Sequence, residues 1–362
     1  MILVLASGSA WPYMLIGLAI WWIVHLVRTP GRCTNISLFV AVVLITFSIG
    51  EIIFRVKGEF QSYLEQKSGP ISHIFFTSYH SRFTSQAHGW LLIEYSHWLR
   101  DKFVSRSGFL NSEGLYDREH SLTKTKKCRV LALGDSFTQG VGSTHDSGYV
   151  SLLEKNNDTL ELMNAGMSSS DPAYELKLLE LKMFKYHPDV VIMTVNNTDI
   201  DDFKIRGGME RFLPDTTVQN RLAPPWWEDY YAESFMLRAF IHKVCKLDWN
   251  FMTQSEERHA RALALRQLAE VLEKASDECH ERHIRFVANF HPTEYEIRGD
   301  SMECTPVMRD VQKHGVETFD MLRYFMSHGV DSATAHKYFW ANDGHNNNRG
   351  YAVMTEGLST LF

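Results

Sequence analysis

Val130-Leu131-Ala132-Leu133-Gly134-Asp135-Ser136-Phe137-Thr138-Gln139-Gly140 runs from a short apolar stretch straight into a glycine, an acid and a serine. Consecutive apolar residues closed by a glycine predict a buried strand ending in a turn, because a strand covered on both faces loses the apolar-polar alternation of a half-exposed one. A serine at the end of such a strand is a poor nucleophile until a base takes its proton, and that base works best when a carboxylate fixes its tautomer. Far downstream, Asp343-Gly344-His345 supplies an acid and a histidine in a polar loop that leads into the amphipathic run Tyr351 to Phe362. Alone, Gly134-Asp135-Ser136 reads equally well as a strand-to-helix turn in which the acid or the serine caps the next helix. The downstream pair shifts the reading to nucleophilic catalysis, with Ser136 as nucleophile, His345 as base and Asp343 as the acid that orients it.

Outward from this stretch, short apolar runs alternate with helical patterns. Residues 129–133, 160–163, 189–194 and 284–290 read as strands; 172–186 and 255–283 read as helices, the first with Ser170 or Asp171 as cap and Pro172 in its first turn. This alternation predicts an α/β fold, a three-layer α/β/α sandwich around a central parallel sheet. Ligands of such sheets bind beyond the carboxyl ends of the strands, where Ser136, Gly166 and Asn197 all fall. Thr138 occupies the position that a Gly-x-Ser-x-Gly elbow reserves for glycine, which argues against the α/β-hydrolase fold.

With Asn164-Ala165-Gly166 after the second strand and Val195-Asn196-Asn197-Thr198-Asp199 after the third, the chain resembles the SGNH, or GDSL-type, hydrolase superfamily over about 129–362. The first block of that family matches at Gly134 to Ser136, the second at Gly166, and the last at Asp343 and His345. The third block departs from the family's Gly-x-Asn-Asp: either Thr198 replaces the asparagine, or Asn197 supplies the amide. The resemblance implies an oxyanion hole of Ser136 N–H, Gly166 N–H and Asn197, and an acyl-serine intermediate needing neither metal nor organic cofactor.

The chain of 362 residues has a formal net charge of −6, which gives no support for a nucleic-acid partner. Its five cysteines form no Cys-x-x-Cys pair; they read as buried thiols, with a Cys279 to Cys304 bridge as an alternative in an oxidising compartment. Cys279-His280-x-x-His283 has the composition of a metal cluster but lies at the charged end of a helical run. Asp199, Asp201 and Asp202 read as a solvated acidic turn, and the stretch from Arg206 through Trp227 reads as an insertion that shapes the substrate cleft.

Met1 to Val27 contains no Asp, Glu, Lys or Arg, and a second apolar run follows from Ile36 to Ile49, extending to Phe54. These lengths predict a two-helix transmembrane hairpin, and the absence of a basic n-region argues against a cleaved signal peptide. Arg28 and Arg32 in the connection place that connection in the cytoplasm by the positive-inside rule, so the catalytic part is expected outside, at a bacterial inner membrane facing the periplasm. The expected organisation is a hairpin over 1–55, a juxtamembrane linker and lead-in over 56–126, and a hydrolase-like domain over 127–362. Within the linker, the aromatic-rich stretch His88 to Leu99 suits a membrane interface or, as expected here, packing on a flank of the domain, and Asn111 to Glu119 is similar to the lead-in before the first strand of membrane-associated SGNH proteins.

The function these readings imply is a membrane-anchored serine ester hydrolase that removes O-acyl groups, such as acetyl, from an envelope polysaccharide or a lipid. Two alternatives stay open: an O-acyltransferase acting beside a polytopic membrane acyltransferase partner, and a non-catalytic carbohydrate-binding protein.

Overall fold

The computed structural model describes residues 11–28, 34–57, 111–214, 218–222, 225–227, 230–231, 234–341 and 344–362. The aromatic stretch at 88–99 lies outside the described residues. Two compact units divide the rest: one holds the described parts of 11–57 and 225–257, the other those of 111–222 and 258–362.

The first unit opens with α1 (Trp11–Arg28) and α2 (Thr34–Lys57), which pack against each other. Ala19 and Ala41 are buried, as expected where small side chains let helix backbones approach. Residues 35–57 of α2 are long and apolar enough to cross a membrane, while the apolar part of α1, 12–28, is shorter. Leu18, Trp21, Ile36, Phe39 and Val42 point outward, so the apolar character of the helices is not spent on an internal core.

The described part of 225–257 packs on α2. Glu51 is fully buried and accepts hydrogen bonds from Ser234 Oγ (2.9 Å), Phe235 N–H (2.7 Å), Met236 N–H (2.9 Å) and Arg55 Nε (2.8 Å). A carboxylate thus caps the short helix Phe235–Ala239, together with Ser234, whose Oγ accepts from Leu237 N–H. A Cβ on Gly50 would lie 2.6 Å from Met236 Sδ, so glycine there permits the close approach, and Phe54 packs on Phe235 and Ala239. The insertion expected to shape a cleft therefore belongs, from 225 onward, with the N-terminal helices. No local pattern announces this, because its seat is a single acid, Glu51, at the end of an apolar run.

In the second unit, β1 (Cys128–Gly134), β2 (Leu160–Gly166), β3 (Val190–Val195), β4 (Arg285–Phe290) and β5 (Glu317–Asp320) form one parallel sheet in the order β2-β1-β3-β4-β5. Every residue of β3 is buried. Because successive side chains of a strand point to opposite faces, both faces must be covered, which gives the three-layer α/β/α arrangement. The covering helices include α3 (Ser136–Gln139), α4 (Tyr149–Lys155), α5 (Pro172–Leu178), α6 (Asn197–Arg206), α7 (Gln254–Glu281) and α8 (Asn348–Ser359). The lead-in closes the open edge of β2: Asp117 Oδ2 accepts from Asn164 N–H at 2.7 Å, and Arg118 pairs with Glu154 of α4.

Cys279 and Cys304 are both free and buried, so no bridge joins them. Among the described residues, Cys279, His280 and His283 do not come together as ligands. The strand order reverses direction between β1 and β3, and a crevice opens beyond their carboxyl ends at such a switch point.

Candidate active site

Ser136 is the first residue of α3, immediately beyond β1. Asp135 caps the helix by accepting Phe137 N–H on its side chain (2.9 Å), and Gly140 ends it in the left-handed conformation. As the first helical residue, Ser136 has no intrahelical acceptor for its own N–H. Asp135, Phe137, Thr138 and Gln139 are all buried, whereas Ser136 is only half-buried. The turn thus leaves one hydroxyl accessible at the sheet's carboxyl edge.

His345 Nε2 lies 2.8 Å from Ser136 Oγ. The histidine rides on a tight turn closed by Trp340 N–H to His345 O (2.8 Å) and Gly344 N–H to Trp340 O (2.8 Å). Trp340 Nε1 donates to Gly142 O at 2.6 Å and so ties this turn to the loop after α3. Gly142 has φ +92°, and a Cβ there would come 2.5 Å from Asn346 O and 3.2 Å from His345 Cβ. Only glycine fits between the nucleophile's loop and the histidine's loop. Asp343, the expected orienting acid, lies outside the described residues.

Phe137 packs its ring against both His345 (centroids 5.2 Å apart) and His291 (4.8 Å). His291 is buried behind it and bonded to Asn346 Nδ2 at 3.1 Å; burial drives its pKa down to about 3, which keeps the ring neutral. His291 therefore backs the site instead of lining it.

Gly166 ends β2 in register with Gly134. A Cβ on it would sit 2.3 Å from Gln139 N, so the residue lets β2 meet α3. Its N–H, expected to face an oxyanion, donates to Asn164 Oδ1 at 3.0 Å in this state.

The two asparagines after β3 have different jobs. Asn196 is buried and caps α6: its Oδ1 accepts from Thr198 N–H (2.9 Å), Asp199 Oδ2 returns a bond to Asn196 N–H (2.8 Å), and Asn196 Nδ2 donates to Asp135 Oδ2 (2.9 Å). Asn197, one residue on, is half-buried, and its Oδ1 has no hydrogen-bond partner among the described residues. Thr198 is exposed, its hydroxyl donating to Asn196. Asn196 escaped the sequence reading, although Asn196-x-x-Asp199 has the spacing of a capping box.

Behind the site lies a buried charge network. Asp171 caps α5 and accepts from Arg206 Nη1 (2.7 Å) and Arg211 Nη2 (2.9 Å), both guanidinium groups being buried. Burial alone would raise its pKa; the two guanidinium charges outweigh that and hold it below the ordinary value. Arg206 and Arg211 are thus structural and line no cleft. The acidic run 199–202 is not a solvated turn either: Asp199 and Asp202 are buried, and only Asp201 is exposed, paired with Lys204. Burial raises Glu175 and Asp199 well above the usual carboxylate range, and Asp202 to about 8. It also raises Asp135, against the pull of the Asn196 amide and Phe137 N–H.

No family model matches the chain, and no curated relative does either. Among solved structures, the chain is similar to a member of the lipolytic protein G-D-S-L family from Veillonella parvula, at 13% identity and a TM-score of 0.39, covering 65% of this chain and 98% of that one. It is similar to a lipase/acylhydrolase from Enterococcus faecalis at 13% identity and 0.39, over 65% of this chain and 94% of that one. A third similar structure is an acetyl xylan esterase, AlAXEase, at 14% identity and 0.41, over 64% and 98%.

Proposed function

We propose that this chain is a membrane-anchored serine ester hydrolase of the SGNH type, working through an acyl-serine intermediate. The observation that carries the reading is the 2.8 Å contact between His345 Nε2 and Ser136 Oγ, made by residues 209 positions apart. A hydroxyl at the mouth of a parallel sheet, in hydrogen-bond reach of an imidazole on a braced turn, is the pair that nucleophilic acyl transfer requires.

In the reaction, Ser136 Oγ attacks the ester carbonyl while His345 Nε2 takes its proton. Collapse of the tetrahedral intermediate releases the alcohol, which leaves with the proton from His345. Water, deprotonated by the same nitrogen, then attacks the acyl-serine and frees the acid. Asp343 is assigned to hold the imidazole tautomer, and Ser136 N–H, Gly166 N–H and Asn197 to hold the oxyanion. The Gly166 N–H must change acceptor for this, from the neutral amide of Asn164 to the oxyanion. A charged acceptor makes a bond roughly twice as strong as a neutral one, so the exchange is favourable when the negative charge develops.

The substrate class follows from the family resemblance and the anchor: an O-acyl group, acetyl foremost, on an envelope polysaccharide or a lipid at the periplasmic face. The deciding experiment exposes the detergent-solubilised chain and its Ser136→Ala variant to a fluorophosphonate probe and a short-chain aryl ester. Labelling and turnover that both vanish in the variant support a hydrolase. Labelling without turnover moves the assignment to a transferase that needs its acceptor or its membrane partner. Neither, in a folded protein, removes the nucleophile reading.

A further inference from the structure

The second helix carries no charged side chain from Ile36 to Gly50, and then places Glu51, Arg55 and Lys57 in its final turns. At 1.5 Å per residue, Glu51 stands about 22 Å along the apolar stretch and Lys57 about 32 Å. A hydrocarbon core is roughly 30 Å thick. With Lys57 at the water boundary, the Glu51 carboxylate therefore lies below the headgroups, where an unmatched ion is expensive.

The insertion supplies the match. Ser234 Oγ, Phe235 N–H and Met236 N–H join Arg55 Nε on that carboxylate, four donors for the roughly four acceptor positions of a carboxylate. Whatever depth Glu51 has, residues 234–236 share it. The side chains displayed around this seat suit that depth. Trp226 (85% exposed), Tyr230 (65%), Phe240 (52%), Val244 (66%) and Trp249 (41%) are large, apolar or amphipathic and exposed. Tryptophan and tyrosine concentrate where a membrane meets water. Lys57, Lys243 and Lys246 are exposed on the same unit, and Lys243 Nζ lies 6.0 Å from the Phe54 ring, so cations are available to anionic headgroups.

We propose that the described residues of 225–251 form a lipid-embedded collar on α2, seated by Glu51 in the leaflet where that helix leaves the membrane. The inference rests on the membrane-anchored reading above and adds a second, monotopic attachment from the middle of the chain.

The test uses the full chain with Cys33, Cys128 and Cys245 replaced by serine, in nanodiscs of phosphatidylcholine and phosphatidylglycerol. An environment-sensitive fluorophore is placed at Phe240→Cys, Val42→Cys or Tyr295→Cys, the last an exposed position of the other unit. Quenching is read with lipids bearing a nitroxide high or low on the acyl chain. The expected result is quenching of the Phe240 probe by the shallow nitroxide, of the Val42 probe by the lipid nitroxide at either depth, and of the Tyr295 probe by neither. Glu51→Ala should abolish quenching at Phe240 and spare Val42. A Phe240 probe as unquenched as Tyr295, with Val42 still quenched, overturns the collar and leaves the anchor standing. A dry but unquenched Phe240 probe means protein covers it, and overturns the collar as well. An unquenched Val42 probe removes the anchor and the collar together. Unchanged Phe240 quenching in Glu51→Ala overturns the role given to Glu51.

Discussion

Asn196 Nδ2 donates to Asp135 Oδ2 at 2.9 Å with both side chains buried, so the residue beside Ser136 is tied directly to the end of β3. Asn197, next in the chain, is free of that duty. Two adjacent asparagines therefore separate into one that ties the end of β1 to the end of β3 and one that does not.

Replacing each separately should split stability from turnover. Asn196→Ala removes a helix cap, worth about 1 kcal/mol, and strands a buried acceptor on Asp135, worth about 1–3 kcal/mol, so a loss of roughly 2–4 kcal/mol is expected in denaturant melts. Asn197→Ala should melt like the parent yet turn over aryl ester about 100- to 1000-fold more slowly. Equal melting of both variants, with turnover lost only in Asn196→Ala, would exchange their roles.

Ser136→Ala and His345→Gln should each lower aryl ester turnover by roughly 10⁴- to 10⁶-fold, and the double variant little further, because the two groups act as one unit. Steady-state kinetics on the three proteins decides the matter. Multiplicative losses would mean the 2.8 Å contact between them is not used in the reaction.

Gly142→Ala tests the bracing of the histidine turn. The added methyl would meet Asn346 O at 2.5 Å, at a φ of +92°. We expect a destabilisation of about 1–3 kcal/mol and a fall in kcat that exceeds any change in KM, since the turn carries His345. A variant with parental kcat would show that the histidine's position does not depend on this packing.

Asp202 gives a pH dependence of stability with a definite sign. Burial raises it to about 8; Arg206 lies 3.1 Å away and pulls the other way, but that guanidinium is shared with the ionised Asp171. An unfolded aspartate titrates near about 3.9. Between those values the folded state keeps a proton that the unfolded chain has released, so the contribution of Asp202 to stability declines as pH rises from about 4 to 8. The Tm of Asp202→Asn should therefore gain on the parent as pH increases across that window. A gap that narrows instead would mean Asp202 is ionised in the folded protein.

Much of this was readable in the sequence, for a physical reason. β1 to β4 are buried on both faces, so each is a visible apolar run, and the motif residues sit where those runs end. β5, Glu317-Thr318-Phe319-Asp320, went unread because it is an edge strand with half-exposed and exposed side chains and needs no apolar run. Arg206 and Arg211 read as part of a cleft-shaping insertion because their burial depends on Asp171, some 35 and 40 positions away. Pairings of that range leave no local pattern, and neither does Glu51 reaching Phe235, 184 residues downstream.

That last distance also sets an order of events during biosynthesis. The ribosome delivers the N-terminal helices long before Ser234, Phe235 and Met236 emerge, so Glu51 waits with Arg55 as its partner until the insertion arrives. The hairpin is then no detachable leader. A chain shortened to begin after Lys57 would be born with Phe235 N–H and Met236 N–H deprived of the Glu51 carboxylate and the Phe235 ring deprived of Phe54. Making such a shortened chain for biochemistry calls for removing 223–257 along with 1–81, joining the ends of one unit and discarding the other whole.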